Sequence, residues 1–319
     1  MRVAFFGTPE FAVPSLRALV GEGFDVVGVV TQPDAPQGRS RSKLIPPPVK
    51  VAAQAEDLTV FQPEKPTDSA FLQQLRDLQP DIGVVVAYGH ILKPALLALP
   101  PRGMVNVHPS LLPGLRGAAP VEWAIIRGHE TTGVSIMQLD AGMDSGPVLH
   151  QIPHRIGPDV NAGELSAHLA EMGAQALVET LTLLDQSDPP PAPVPQKEDR
   201  ATFAPKLTRE IAHIDWTKDA RAIGCLIRGL DPRPGAWTAL KGNEIKLFTP
   251  KVMEPPFPGT GAPGAVISAD GSLVIATGPF KDLSGGCVEI FEVQSAGKPR
   301  MPAAEWLRGA RLKAGAKFA

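Results

Sequence analysis

The chain has almost no cysteine, with only Cys225 and Cys287 among its 319 residues. Two thiols cannot make a disulfide framework, and their spacing is not that of a zinc site. Redox and structural-zinc roles are therefore excluded, and burial is the expected fate of both. Long apolar runs are missing as well. No window approaches the roughly 20 uninterrupted apolar residues that a membrane span needs. The apolar start MRVAFFG meets Thr8-Pro9-Glu10 before a secretory signal can develop. A soluble, cytoplasmic protein with no membrane partner is expected. Two nucleotide signatures are absent too. The glycine after the first apolar run stands in GTPEF rather than G-x-G-x-x-G, and no G-x-x-x-x-G-K-[ST] occurs. There is no internal repeat.

What remains is ordinary globular material, 43% apolar and 20% charged, in a chain long enough for two domains. Net charge is −2, but unevenly spread: residues 1–200 carry 15 Lys/Arg against 22 Asp/Glu, and residues 201–319 carry 16 against 11. Near the end, Lys298, Arg300, Arg308, Arg311, Lys313 and Lys317 face a single acid, Glu305. Clustered cations of this kind suit a polyanionic partner, although a solvated basic terminus reads the same way.

In the first part, the runs RVAFFG (2–7), FDVVGVVT (24–31), IGVVVAYG (82–89) and MVNV (104–107) are short and apolar on both faces, as buried parallel strands are. Between them FAVPSLRALVGE, PVKVAAQAE and SAFLQQLRDLQ have helical spacing, and 161–186 reads as a long helix. This alternation predicts an α/β domain with a doubly wound, mostly parallel sheet over residues 1–186. In SDPPPAPVPQ (187–196) five of ten residues are proline, which favours stiff extended chain and marks 187–206 as a linker. Beyond it, a helix near 218–229 precedes the short strands IKLF, GAVISA, SLVIATG and CVEIFEV. These predict a smaller β-barrel domain over 207–319.

Ligands of open α/β sheets bind at the carboxyl ends of strands, which draws attention to MVNVHPSLLPGLRG (104–117). Asn106 and His108 are two apart on one strand, so both side chains share a face and can reach one ligand. Together an amide and an imidazole can hydrogen-bond a carbonyl oxygen and stabilise the oxyanion it becomes on attack. Taken alone, a strand-end histidine is more often structural. The segment TGVSIMQLDAGMDSGPVL (132–149) places Asp140 and Asp144 among glycines at another strand end. Either aspartate alone reads as a turn residue, yet beside an Asn/His pair a carboxylate can orient the imidazole or take a proton from an amine. His150 and His154 are four apart, but the proline in QIPHRI rules out a shared helix face, and no metal site is expected.

These stretches resemble the formyltransferase family that uses 10-formyltetrahydrofolate, whose pattern is Asn-x-His, then Ser-Leu-Leu-Pro-x-x-x-Gly, then a downstream Asp. The likeness extends through VAFFGTPEFA, TQPDAPQGRSRSKLIPPPVK, VVVAYG, RGAAPVEWAI and, past the linker, IDWTKDARAIGCLIRGLDPRPGAW. Most of the chain is covered. The resemblance implies formyl transfer from 10-formyltetrahydrofolate to the α-amino group of methionyl initiator tRNA, with no metal, and nothing in the sequence demands more than a monomer. Asn106, His108 and Asp144 would be catalytic. Val86, Ala87, Tyr88, Gly89, Ser110, Leu111, Leu112, Pro113, Asp140 and Met143 would line the folate pocket. Phe11 would lie near the methionine side chain, and Arg39, Arg41, Lys43 and Lys206 would meet the tRNA. The second domain would be an OB-like barrel that binds the acceptor arm.

Overall fold

The computed structural model describes residues 1–37, 43–253, 261–279 and 285–319. They divide into two compact units that interleave along the chain. The first comprises Met1–Gly117, Thr132–His154 and Ser166–Ala204; the second comprises Ala118–Thr131, Arg155–Leu165 and Pro205–Ala319.

The first unit is built on a seven-stranded sheet. Its strands are β1 (Arg2–Gly7), β2 (Asp25–Val30), β3 (Val60–Phe61), β4 (Ile82–Val86), β5 (Met104–His108), β6 (Thr131–Gln138) and β7 (Val148–Arg155). They lie in the order β7-β6-β5-β4-β1-β2-β3. From β3 to β5 every neighbouring pair is parallel, and β6 joins β5 antiparallel. Strands β4 and β5 are buried at every residue, so β4 reads as an unbroken apolar run and β5 as one interrupted only by Asn106 and His108. The helices Val13–Gly21, Pro48–Ala55 and Ser69–Asp77 return the chain between parallel strands, as parallel connections require. Asp68 starts the third of these by accepting from Ala70 N at 3.0 Å. The fold is thus the expected α/β one, and the long helix runs Ala162–Gln186. At its start Asn161 and Glu164 cap each other reciprocally, each backbone N–H donating to the other's side chain at 3.0 Å.

The second unit holds an antiparallel sheet of β8 (Ala236–Leu240), β9 (Asn243–Met253), β10 (Val266–Ser268), β11 (Leu273–Ala276), β12 (Cys287–Ser295) and β13 (Met301–Pro302). The order is β8-β9-β12-β11-β10, with β13 beside β12. Residues 316–319 bridge the two open edges. Ala319 and Ala239 exchange backbone bonds of 2.9 and 3.1 Å, Phe318 N donates to Gly264 O at 2.8 Å, and Val266 N donates to Ala316 O at 2.8 Å. The sheet is thereby curled into an OB-like barrel without free edges over that stretch. Phe318 is buried beneath the seam against Trp216. The helix Ala220–Gly229 covers the barrel with Ile223 and Ile227.

Arg300 bonds Asp231 and Glu292 and lies 4.1 Å over the Phe248 ring, so its charge is spent inside the unit. Lys298, Arg308, Arg311, Lys313 and Lys317 are exposed and form no ion pair among the described residues. Both cysteines are buried and free, and burial pushes the Cys287 thiol up. No described helix is long and apolar enough to cross a membrane.

In the second unit, burial pushes the Glu122 carboxyl up, only partly opposed by its own backbone N–H. A raised carboxyl binds its proton more tightly folded than unfolded. Stability on its account is therefore full below the ordinary value of 4.5 and is lost as pH rises through the folded value. Glu122→Gln should accordingly unfold at higher urea than the parent at pH 7, with the difference vanishing below about pH 4. An equal midpoint at both pH values would contradict the assignment.

Candidate active site

Because β1, β4 and β5 run parallel, their carboxyl ends share one edge of the sheet. Gly7 pairs with Val86, and Val85 pairs with Asn106, so the 86–89 turn sits beside the Asn106 strand. That turn has two left-handed residues, Ala87 (φ 48) and Gly89 (φ 90). The backbone between them is tied down: Thr8 Oγ1 and Gln32 Nε2 both donate to Tyr88 O, at 2.8 and 3.2 Å. The Tyr88 ring itself lies in the core against Phe6, with burial pushing its hydroxyl up to about 12.

Asn106 and His108 leave β5 on the same face, 9% and 4% exposed. The Asn106 amide makes no hydrogen bond within the protein among the described residues. The His108 ring has a polar neighbour at each nitrogen. Nε2 lies 3.1 Å from Leu115 O, a carbonyl that only accepts, so Nε2 carries a proton. Nδ1 faces Asp144 Oδ2 at 3.8 Å, beyond direct hydrogen-bond reach and within ion-pair reach. Asp144 is half-buried, has φ 51, and accepts from Gly117 N at 2.8 Å through the same oxygen. Leu115 and Gly117, which hold the ring and the carboxylate, flank a single residue, Arg116.

Spacing alone does not separate Asp140 from Asp144, and only the family resemblance singles out Asp144. The structure separates them: Asp140 accepts from Gly142 N and Ser145 Oγ, all within its own turn, whereas Asp144 reaches across to Gly117 and His108. Met143 is 63% exposed beside it. Ser110 donates to Gly114 O at 2.6 Å within the loop that Leu111, Leu112 and Pro113 complete. Phe11 lies in a turn of helix, Glu10–Ala12, directly after β1. Lys43 opens the short strand Lys43–Ile45, Arg39 and Arg41 lie outside the described residues, and Lys206 is exposed in the second unit.

The family profile described as "Formyl transferase" matches residues 1–181, and "Formyl transferase, C-terminal domain" matches residues 206–311. The chain belongs to the formyl transferase family. Among curated proteins, this formyltransferase is 44% identical over 309 residues to the methionyl-tRNA formyltransferase of Chloroflexus aurantiacus, covering 97% of each chain. It is 43% identical over 322 residues to that of Geotalea daltonii, covering 100% of this chain and 98% of the other. Among solved structures, an N-formyltransferase from Helicobacter canadensis shares the fold with TM-score 0.68 at 17% identity, over 92% of this chain and 98% of that one. HypX from Aquifex aeolicus, solved with tetrahydrofolic acid, shares it with TM-score 0.63 at 19% identity, over 96% of this chain and 47% of that one.

Residues that sequence reasoning passed over hold the formyltransferase loop in place. Ser135, opposite His108 on β6, donates to Ser110 O at 2.6 Å and accepts from Leu112 N and Gln151 Nε2. Arg116, 3% exposed, bonds Gln196 and Glu198. The Glu198 hydrogen bond holds the guanidinium's pKa above its ordinary value and the Glu198 carboxyl below its own. Thr202 accepts from Leu115 N, and Phe203–Ala204 pair in parallel with Arg116–Gly117. Gly117 (φ 118) permits that pairing, because a Cβ there would lie 2.8 Å from Ala204 O. Residues 196–204, part of the 187–206 stretch expected to be connecting chain, therefore pack against the loop. A serine and an arginine in a turn-rich stretch give no local signal of such partners. Among the described residues no group of three His, Cys, Asp or Glu is arranged to hold a metal.

The Ser135 hydroxyl uses its one proton and both lone pairs. Ser135→Ala should cost about 2–4 kcal/mol by leaving the Ser110 carbonyl and the Leu112 amide without this partner, while Gln151 Nε2 keeps its bond to Leu112 O. Urea unfolding would measure it, and a loss below about 0.5 kcal/mol would show that the loop does not depend on this hydroxyl.

Proposed function

We propose that this formyltransferase transfers the formyl group of 10-formyltetrahydrofolate to the α-amino group of methionyl initiator tRNA, giving N-formylmethionyl-tRNA. The observation that carries the chemistry is the grouping of Asn106, His108 and Asp144: an amide with no internal partner, a ring with Nε2 already donated, and a carboxylate 3.8 Å from Nδ1. The substrate amine is the nucleophile, so no side chain needs to be one.

The amine nitrogen attacks the formyl carbon bound to folate N10, and the carbonyl oxygen becomes an oxyanion. Asn106 donates to that oxygen, and so does His108 when Nδ1 also carries a proton. Such donors stabilise charge that develops only in the transition state. The attacking amine must shed a proton and N10 must gain one as the C–N10 bond breaks. Asp144 Oδ1 has no partner among the described residues and can accept the first directly or through one water. The products are the formylated amine and tetrahydrofolate.

In this reading the pterin edge meets the backbone of Val86, Ala87, Tyr88 and Gly89 and the loop Ser110–Pro113. The exposed Met143 offers an apolar wall. The Asp140 carboxylate is engaged in its own turn, which leaves its backbone for the ligand. Phe11 would lie near the methionine side chain, and Arg39, Arg41, Lys43 and Lys206 are the cations assigned to the tRNA by the family pattern. Formyl chemistry belongs to residues 1–186 and RNA binding to 207–319, joined through 187–206, with one chain sufficient. Five unpaired exposed cations in the last 22 residues supply the phosphate-binding charge. The relatives' names supply the acceptor.

Given 10-formyltetrahydrofolate with charged initiator tRNA, glycinamide ribonucleotide and an amino-sugar nucleotide in competition, the protein should formylate the tRNA. Formylation of the sugar alone would overturn the reading. His108→Ala should lower kcat by about 10² or more; a variant with the parent rate would remove His108 from the chemistry. The Kd for tRNA should weaken steeply between 50 and 200 mM salt, by about tenfold or more for each two or so phosphates neutralised. A flat salt dependence would take the basic face out of RNA binding.

A further inference from the structure

Nothing in the chemistry above explains why a glutamine 80 residues downstream should reach back to the His108 loop. Its amide has all four of its hydrogen-bonding capacities occupied. Oε1 accepts from Arg116 Nε and Nη2 at 3.0 and 2.8 Å, while Nε2 donates to the carbonyls of Asp144 and Gly146 at 2.8 and 2.7 Å. Only one orientation of the amide fits. A flipped group would set its NH₂ against the guanidinium and its oxygen against two carbonyls.

The consequence lies one residue to either side of Arg116. Leu115 O holds His108 Nε2, and Gly117 N holds Asp144 Oδ2. Arg116 is pinned by Gln196, and the backbone that carries Asp144 is pinned by the other end of the same amide. Asp144 needs such support, because its left-handed φ of 51 is a costly conformation for a residue with a Cβ. Two residues on, Gly146 lies so close to the Gln138 carbonyl that a Cβ there would clash with it, so the turn is tightly packed.

We infer that Gln196 is a positioning residue: it joins the loop that orients His108 to the loop that presents Asp144, and so sets the relation between ring and carboxylate. This rests on the formyl-transfer reading for its kinetic consequence, but its geometric consequence can be measured without substrate. It differs from an ordinary packing role in one respect. The donors of Gln196 matter separately from its size, because only an N–H can hold the Asp144 and Gly146 carbonyls.

Gln196→Glu keeps the shape and the bond to Arg116 but replaces the two donated protons with an oxygen facing those carbonyls. Its kcat should fall about 10²-fold, the scale expected for an ångström of misplacement at a reacting group. The KM for the acceptor should move by less than about threefold, since no substrate contact is lost. Without substrate, the Gly117 amide reads the Asp144 carboxylate directly. Its hydrogen exchange should quicken by at least about tenfold in the variant as Asp144 Oδ2 withdraws. Gln196→Ala, which removes the bonds without adding repulsion and admits water, should change both readouts in the same direction by less. If Gln196→Glu does not fold, the alanine variant decides alone. Unchanged Gly117 exchange in a folded variant would overturn the inference, whatever happens to kcat. Quickened exchange with an unchanged kcat would overturn it too. If the parent protein formylates no acceptor, the function reading fails while the exchange result still decides the geometry.

Discussion

A guanidinium that is 97% shielded from water has to be surrounded by acceptors, and the ones that Arg116 finds shape the rest of the site. Stripping one partner from a buried charge costs about 3–5 kcal/mol when both ends are buried. Glu198 is 71% exposed, so solvent screens that end of the pair and the Coulombic gain there is modest. The buried end matters more. Gln196 meets the guanidinium with a neutral oxygen and turns its other face to the Asp144 loop. A requirement for solvating one cation thus becomes a connection between two loops that come from different strands.

The sheet provides the platform for that connection. Parallel β1, β4 and β5 bring Gly7, Val86 and Asn106 to one edge, and antiparallel β6 returns Ser135 to the side of His108. Ser135 then fixes the first half of the Pro/Gly loop, and Thr202 with Phe203–Ala204 fixes the second. Both halves of that loop are therefore held by hydrogen bonds, and the loop in turn restrains the His108 ring through Leu115 O and the Asp144 carboxylate through Gly117 N.

Much of the first unit was legible in the sequence for a simple reason. Strands buried on both faces are largely apolar, and the runs 2–7, 82–89 and 104–107 announce themselves that way. The two-residue spacing of Asn106 and His108 fixes a shared face as soon as the strand is recognised. The choice between Asp140 and Asp144 could not be read from spacing, because both stand among turn residues and both can cap a turn. Arg116, Gln196 and Ser135 escaped for a different reason. Their types are common in loops, and their function lies wholly in partners 80, 50 and 25 residues away. The basic C-terminal stretch was visible as composition, but only the structure shows that Arg300 is spent on Asp231 and Glu292 while its neighbours are not.

By itself the sequence determined the order of elements, the apolar strands, the helical segments and the positions of an amide and an imidazole at a strand end. These follow from local periodicity and from rules that operate within a few residues. Only the tertiary structure decided which atom each polar group would meet. Leu115 O settles which nitrogen of His108 carries a proton, Gln196 joins the two loops, and residues 316–319 close the barrel. Each of those contacts depends on chain segments meeting in space after the strands have paired. Hydrogen bonds are short and directional, so their partners are fixed by the three-dimensional path of the backbone, which local spacing does not encode.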